Sequence, residues 1–153
     1  MYLGYQNGQI KFYTEQPLDV TLYNLDKIEE TQDEYVLDGE EYVLKTQDWE
    51  EKQAQKEKER IGNLFLTGAD VERGIYQAKG MDFDDILAYV TQLQPEGLDI
   101  KALKIELKAN NFYRGNPYID AVGTLLGFTS EQLDKFFETN DYKVLLDIPS
   151  ENV

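Results

Sequence analysis

"EYVLKTQDWEEKQAQKEKERIGNLF", residues 41–65, changes character part-way along. Up to Leu44 it has the aromatic and β-branched composition of a strand. From Thr46 onward Glu, Lys and Gln dominate, and Ala54 is the one apolar residue between Trp49 and Ile61. Asp48 with Lys52 and Glu57 with Arg60 are spaced as favourable helical pairs, while Lys52 and Lys56 repel. So polar a helix is solvated and serves as a connector, entering a core only at Ile61, Leu64 and Phe65. Residues 46–66 are therefore expected to form a connector helix, with the domain seam within 46–60.

Working toward the N-terminus, "EYVLDGEEYVL" (34–44) and "YLGYQNGQIKFYT" (2–14) each set two strand-like runs about Asp-Gly or Asn-Gly. Both dipeptides suit a type I′ hairpin turn, whose twist matches that of paired strands. Between them "PLDVTLYNLDKIEET" (17–31) offers a further short strand, with Pro17 limiting pairing at its start. The expectation for residues 1–45 is one antiparallel sheet of four or five strands.

Toward the C-terminus the punctuation is helical. Thr67 with Asp70 opens "GADVERGIYQAK" and Gly80 stops it; Asp82 opens "FDDILAYVTQL", which Pro95 and Gly97 end. Asp99 caps "IKALKIELKANNFY", with Ile100, Leu103, Ile105 and Leu107 as its apolar positions, and Thr129 with Gln132 forms a capping box before "SEQLDKFF". Residues 67–147 should be a compact all-helical domain. "DYKVLLDIPSENV" (141–153) reads as a last strand or ordered tail, with 148–153 outside the domain. The fold class is α+β.

Composition narrows the chemistry. The 153 residues carry 15 Lys plus Arg against 30 Asp plus Glu, a net charge of -15, which repels phosphate backbones and anionic lipid. Direct nucleic-acid or membrane binding is not expected. The chain has no cysteine and no histidine, so disulfides, thiolate metal sites and Ser-His or Cys-His catalysis are ruled out. The first residues lack a basic start followed by an apolar run, and no run reaches the roughly 20 apolar residues of a membrane span. The expectation is a soluble, cytoplasmic protein with no cofactor, metal or catalytic residue.

"FYRGNPYID" (112–120) is the segment that most resembles a site. Gly115 can end the Asp99 helix in the left-handed conformation, Asn116 can cap the next helix, and Pro117 fits its first turn. Arg114 would then meet the negative end of a helix dipole. This structural reading is preferred to an anion or partner contact, for which Tyr113, Arg114 and Tyr118 are the candidates. "DFDD" (82–85) lacks the spacing of a calcium loop and reads as helix N-terminal charge. Carboxylates are too evenly spread to single out an acid–base pair, and neither "NGQ" nor "TGADVERG" has the spacing of a phosphate loop.

The span Asp26–Glu51 holds 11 acids and two lysines, a net charge of -9. Among them stand tyrosines, and Tyr2, Tyr5, Tyr13, Tyr35 and Tyr42 all fall in expected strands. Side chains alternate along a strand, so Tyr2 should lie opposite Tyr5, and some tyrosines should face outward as a protein-contact surface. Self-association through that surface is one expectation. The same acids could imitate a nucleic acid for a basic partner, or could simply keep a sheet edge solvated.

The runs "DWEEKQAQKEKERIGNLFLTGADVERGIYQAKG" (48–80) and "NNFYRGNPYIDAVGTLLGFTSEQLDKFF" (110–137) resemble small accessory proteins, many of undefined role, encoded in tail-gene clusters of bacteriophages and prophages. The likeness covers about residues 46–140. It implies a non-enzymatic tail accessory or assembly role through contacts with phage structural or assembly proteins. The location implied is the host bacterial cytoplasm during expression, or the virion. The alternative is an acidic phage-encoded inhibitor, a nucleic-acid mimic, of a basic host nuclease or defence protein.

Overall fold

The computed structural model describes residues 1–146, and they form an α+β protein: small antiparallel sheets, then six helices with short strands among them. Its contacts divide the chain into two compact units, Met1–Gln55 and a second beginning at Lys56.

In the first unit, β1 (Tyr2–Gln6) and β2 (Gln9–Thr14) make a hairpin about Asn7-Gly8. Both turn residues have positive φ, as a type I′ turn requires. Strand β3 (Lys27–Glu30) comes from the weaker middle segment and pairs with the other edge of β1, giving the order β2-β1-β3. The second hairpin, β4 (Tyr35–Asp38) with β5 (Glu41–Leu44), stands as a separate two-stranded sheet. The single sheet of four or five strands expected above is thus replaced by two sheets. The Asp-Gly turn also differs: Gly39 alone has positive φ and Asp38 stays in the strand, as in a II′ rather than a I′ turn.

Both faces of the three-stranded sheet are covered from within this unit. A Cβ on Gly4 would lie 2.8 Å from Leu18 and 3.2 Å from Leu25, so the loop between β2 and β3 sits directly on one face. On the other, Tyr13 pairs with buried Leu3 and packs against Tyr35 and Tyr42, with ring centroids 5.7 and 5.9 Å apart. Helix α1 (Gln47–Gly62) starts at Thr46, whose hydroxyl accepts the Trp49 amide (3.0 Å), and the Trp49 indole donates to Asp38 (3.3 Å). It buries no residue, and it carries the Asp48–Lys52 and Glu57–Arg60 pairs. It is shorter than the 46–66 expected, because the chain past Gly62 turns into a strand.

The second unit is not all helical. Strand β6 (Phe65–Thr67) pairs antiparallel with β7 (Asn111–Tyr113). Pleating sends Leu66 and Phe112 inward and leaves Phe65 exposed, which corrects the placement of Phe65 in the core. The helices are α2 (Gly68–Lys79), α3 (Phe83–Leu93), α4 (Ile100–Glu106), α5 (Pro117–Leu125) and α6 (Ser130–Thr139). Thr67, Asp82, Asp99, Asn116 and Thr129 all act as N-caps, with complete capping boxes at Asp82 and Thr129. Helix α4 stops far short of Tyr113, since residues 111–113 are drawn into pairing with β6. A 3₁₀ turn at Tyr142–Leu146 replaces the last strand or tail suggested for 141–153; residues 147–153 lie outside the described residues.

The core joins Val71, Ile86, Val90, Leu103, Phe112 and Phe136, among others, from every helix after α1. Two glycines permit the closest approaches. A Cβ on Gly74 would lie within 2.6 Å of the Phe136 ring, and one on Gly123 within 2.7 Å of Leu133. No helix of the described residues is long and apolar enough to cross a membrane.

Candidate functional site

Arg114 follows β7 directly, on a stretch held by backbone bonds from Arg114 N to Leu64 O (2.8 Å) and Gly115 N to Gly62 O (3.0 Å). Gly115 is not left-handed and ends no helix; it is glycine because a Cβ would meet the Gly62 carbonyl oxygen at 3.0 Å. Arg114 is therefore not at a helix C-terminus, as the capping account required. Its side chain is buried, 6 % exposed, and runs toward α5 and α6. Nε donates to Asp134 (2.7 Å), Nη2 to the Ser130 hydroxyl (3.0 Å), and Nη1 lies 2.9 Å from Asp120. Two carboxylates against one guanidinium leave the node net negative. An incoming anion would find the guanidinium nitrogens of Arg114 engaged, and the groove of about 470 Å³ beside it is lined by Asp120 and Asp134 together with Lys58.

Asn116 does cap α5, accepting from the Tyr118 amide (3.0 Å), and its Nδ2 donates to Glu106 (3.1 Å). Tyr118 is half-buried against the core. Of the three candidates at this junction only Tyr113 is exposed, and it stacks on its cross-strand partner Phe65 with centroids 5.6 Å apart. The apolar void within the core is about 50 Å³, far below the roughly 300 Å³ or more of a ligand pocket.

The five N-terminal tyrosines are each half-buried. Tyr13, Tyr35 and Tyr42 form the aromatic joint described above, and the Tyr13 hydroxyl donates to Asp33 O (3.0 Å). Tyr5 donates to Glu29 (2.7 Å) and lies under the Lys27 ammonium, 4.3 Å from the ring centroid. The hydrogen bond to Glu29, then burial and the Glu29 charge, push the Tyr5 phenol up to about 12. Tyr2 pairs with Thr14 and Glu30 at the far end of β1. Alternation does set Tyr2 and Tyr5 on opposite faces, but the loop and the second hairpin claim those faces.

The exposed hydrophobic side chains of the first unit include Val20, Leu22 and Tyr23 in the loop between β2 and β3. Leu37 and Leu44, on β4 and β5, are exposed. They share the face of Tyr35 and Tyr42, and Asp38 and Glu41 lie on the opposite one. The acids nearby are unequally engaged: Lys45 bridges Glu34 (3.3 Å) and Glu50 (3.5 Å), Asp38 accepts from Trp49, and the Lys11 ammonium donates to Glu40 O (2.9 Å), whereas the Glu40 and Glu41 carboxylates make no ion pair with a described residue.

A second outward group lies on α4. Ile105, taken from the sequence as a core position, is 70 % exposed. Ile100, Leu103 and Leu107 already form one face at spacings of three and four, and Ile105 stands two residues from both Leu103 and Leu107, on the other side. That spacing was readable in advance. Around Ile105 lie Lys101 and Lys104, and Lys108 in the following turn, all exposed. In the "DFDD" run, Asp82 and Asp85 are used in the capping box of α3, and no three acidic groups among the described residues converge as a cation site.

Comparison of the chain with family models, with curated proteins and with solved structures finds no match.

Proposed function

We propose that this chain is a non-enzymatic accessory or assembly protein of a bacteriophage tail, acting through protein–protein contacts. The observation that carries the contact role is the β4–β5 hairpin, where Leu37 and Leu44 remain exposed on the face they share with Tyr35 and Tyr42. Aliphatic side chains left exposed beside aromatic ones are the composition of the buried part of a protein interface. The resemblance of residues 46–140 to tail-cluster proteins supplies the setting. Affinity capture from phage-infected or lysogenic cells tests it: recovery of tail or virion proteins supports the role, and their absence from the captured material rejects it.

The second reading is an acidic inhibitor of a basic host nuclease or defence protein, favoured by the net charge of -9 over Asp26–Glu51. Against it, Lys52, which lies outside that span, pairs with Asp48 within it and offsets part of that charge. An inhibitor would capture a basic protein with an affinity falling steeply as salt rises, with no tail protein present.

A further inference from the structure

Asn7 is the one asparagine of the chain that glycine follows. Glycine has no side chain to shield its own nitrogen, so that nitrogen can reach the amide carbon of the residue before it. Both residues are exposed in the β1–β2 turn, and the Asn7 side chain makes no hydrogen bond with a described residue. Nothing stands within 4 Å of the position a Gly8 Cβ would take, so the turn is open to water. The closed turn nevertheless withholds reaction. Asn7 and Gly8 have φ of 51° and 79°. The first residue of a I′ turn has ψ of about +30°, which sets the following nitrogen nearly anti to its Cβ, far from its side-chain amide carbon. The Gly8 amide donates to Asp26 Oδ2 (3.3 Å), and Asp26 is itself placed by its backbone bond to Tyr5 O (2.7 Å). The carboxylate holds the turn shut, and its charge opposes loss of the Gly8 proton.

We propose that Asn7 is a site of spontaneous deamidation, released when the Asn7–Gly8 turn opens locally and Asp26 lets go of the Gly8 amide. In the open turn the Gly8 nitrogen gives up its proton and bonds to Asn7 Cγ. The Cγ–Nδ2 bond breaks, and Nδ2 leaves as ammonia with that proton replaced from solvent, closing a succinimide ring. Water then opens the ring at either carbonyl, leaving aspartate or isoaspartate at position 7, with no change in oxidation state. Either product puts a carboxylate one residue from the Asp26 contact, where a neutral amide stood. Isoaspartate also adds a carbon to the backbone of a two-residue turn that fixes the pairing of Gln6 with Gln9. Because β1 is the central strand of its sheet, the change acts in the middle of the first unit. The reaction needs only water, so it holds whatever the chain binds.

Peptide mapping by mass spectrometry of the full chain, fresh and after ageing at a fixed neutral pH, is the test. The mass gain of amide-to-acid conversion should accumulate at position 7 ahead of every other asparagine, with aspartate and isoaspartate forms both present. Conversion in the folded chain should be at least about tenfold slower than in a peptide of residues 4–11, which has no sheet to keep the turn closed. Asp26→Ala should speed it about threefold or more, through loss of one exposed hydrogen bond and its charge. At urea concentrations well below the first unfolding transition the wild-type rate should stay flat, as for a local opening. An unconverted Asn7, or conversion as fast as in the peptide, overturns the proposal. So does an Asp26→Ala chain that converts no faster than wild type. A rate that climbs with urea across that range also overturns it, because the whole unit would then have to unfold. Should Asp26→Ala fail to fold, the peptide comparison and the urea series still decide.

Discussion

Arg114 and Asp134 are joined by a 2.7 Å hydrogen bond from Nε, with the arginine side chain almost wholly out of solvent. The bond ties the end of β7 to α6, and Asp120 on α5 completes the clasp. Removing the guanidinium leaves two carboxylates without their counter-charge. Both are partly exposed, so water recovers some of the loss, and the cost falls below the roughly 3–5 kcal/mol of a fully buried broken pair. Arg114→Ala should destabilise by about 2–3 kcal/mol in urea unfolding. Asn116→Ala, which removes an N-cap, should cost about 1 kcal/mol. The reverse order of the two would show that the clasp adds little.

Arg114 at a helix C-terminus, as the sequence suggested, would have mattered less than the Asn116 cap, and the reason for the difference is physical. Capping is a local event, so Asn116, Pro117 and the Thr129–Gln132 box were legible from a few residues each. The partners of Arg114 lie 6 and 20 positions away, and nothing local distinguishes a buried arginine from one at a helix end. Short strands suffered likewise. Residues 111–113 have a helical run before them and became a strand only because residues 65–67 offer a partner. The exposed faces were half legible: Ile105 betrays itself by spacing, whereas the sequestration of Tyr13, Tyr35 and Tyr42 depends on how two hairpins meet.

Gly74 lies on α2 against the ring of Phe136, which is 2 % exposed. Glycine in a helix interior usually costs about 1 kcal/mol relative to alanine, so Gly74→Ala would be stabilising in the open. Here the added methyl meets an aromatic ring with no room to retreat. The substitution should destabilise by about 1–3 kcal/mol. Gly123→Ala should be milder, since it meets the methyl end of Leu133, which can rotate aside. Thermal unfolding of the two variants checks the order, and a stabilised Gly74→Ala would mean that α2 and α6 are not so closely packed.

Tyr5 provides a prediction in pH. Its phenol is raised from 10.0 to about 12, chiefly because the neutral hydroxyl donates to Glu29. The folded state holds the proton more tightly than the unfolded one, so the stabilisation is complete below pH 10 and disappears as pH rises toward 12. Spectrophotometric titration of phenolate should show one tyrosine ionising late, and Tyr5→Phe should abolish that phase. Glu29→Gln should move it to lower pH. An unchanged late phase in Tyr5→Phe would assign it elsewhere.

The two units should also differ in strength. In the first, Leu3 and Leu25 are the buried hydrophobic residues, in a segment of 55 residues where surface outweighs interior. The second buries a continuous cluster from Leu66 to Leu145, with Arg60 further tied to Glu138 by bonds of 2.9 and 3.0 Å. Trp49 is the only tryptophan in the chain and sits in the first unit, where its indole donates to Asp38. Its fluorescence therefore follows the hairpins, while far-ultraviolet ellipticity follows mainly the helices of the second unit. In a urea titration the tryptophan transition should come first and the ellipticity transition later, which departs from two-state behaviour. A fragment beginning at Lys56 should keep the later transition at nearly its original midpoint, because its core lies wholly within it. Coincident transitions in the full chain, or a fragment without cooperative unfolding, would show that the two units share their stability.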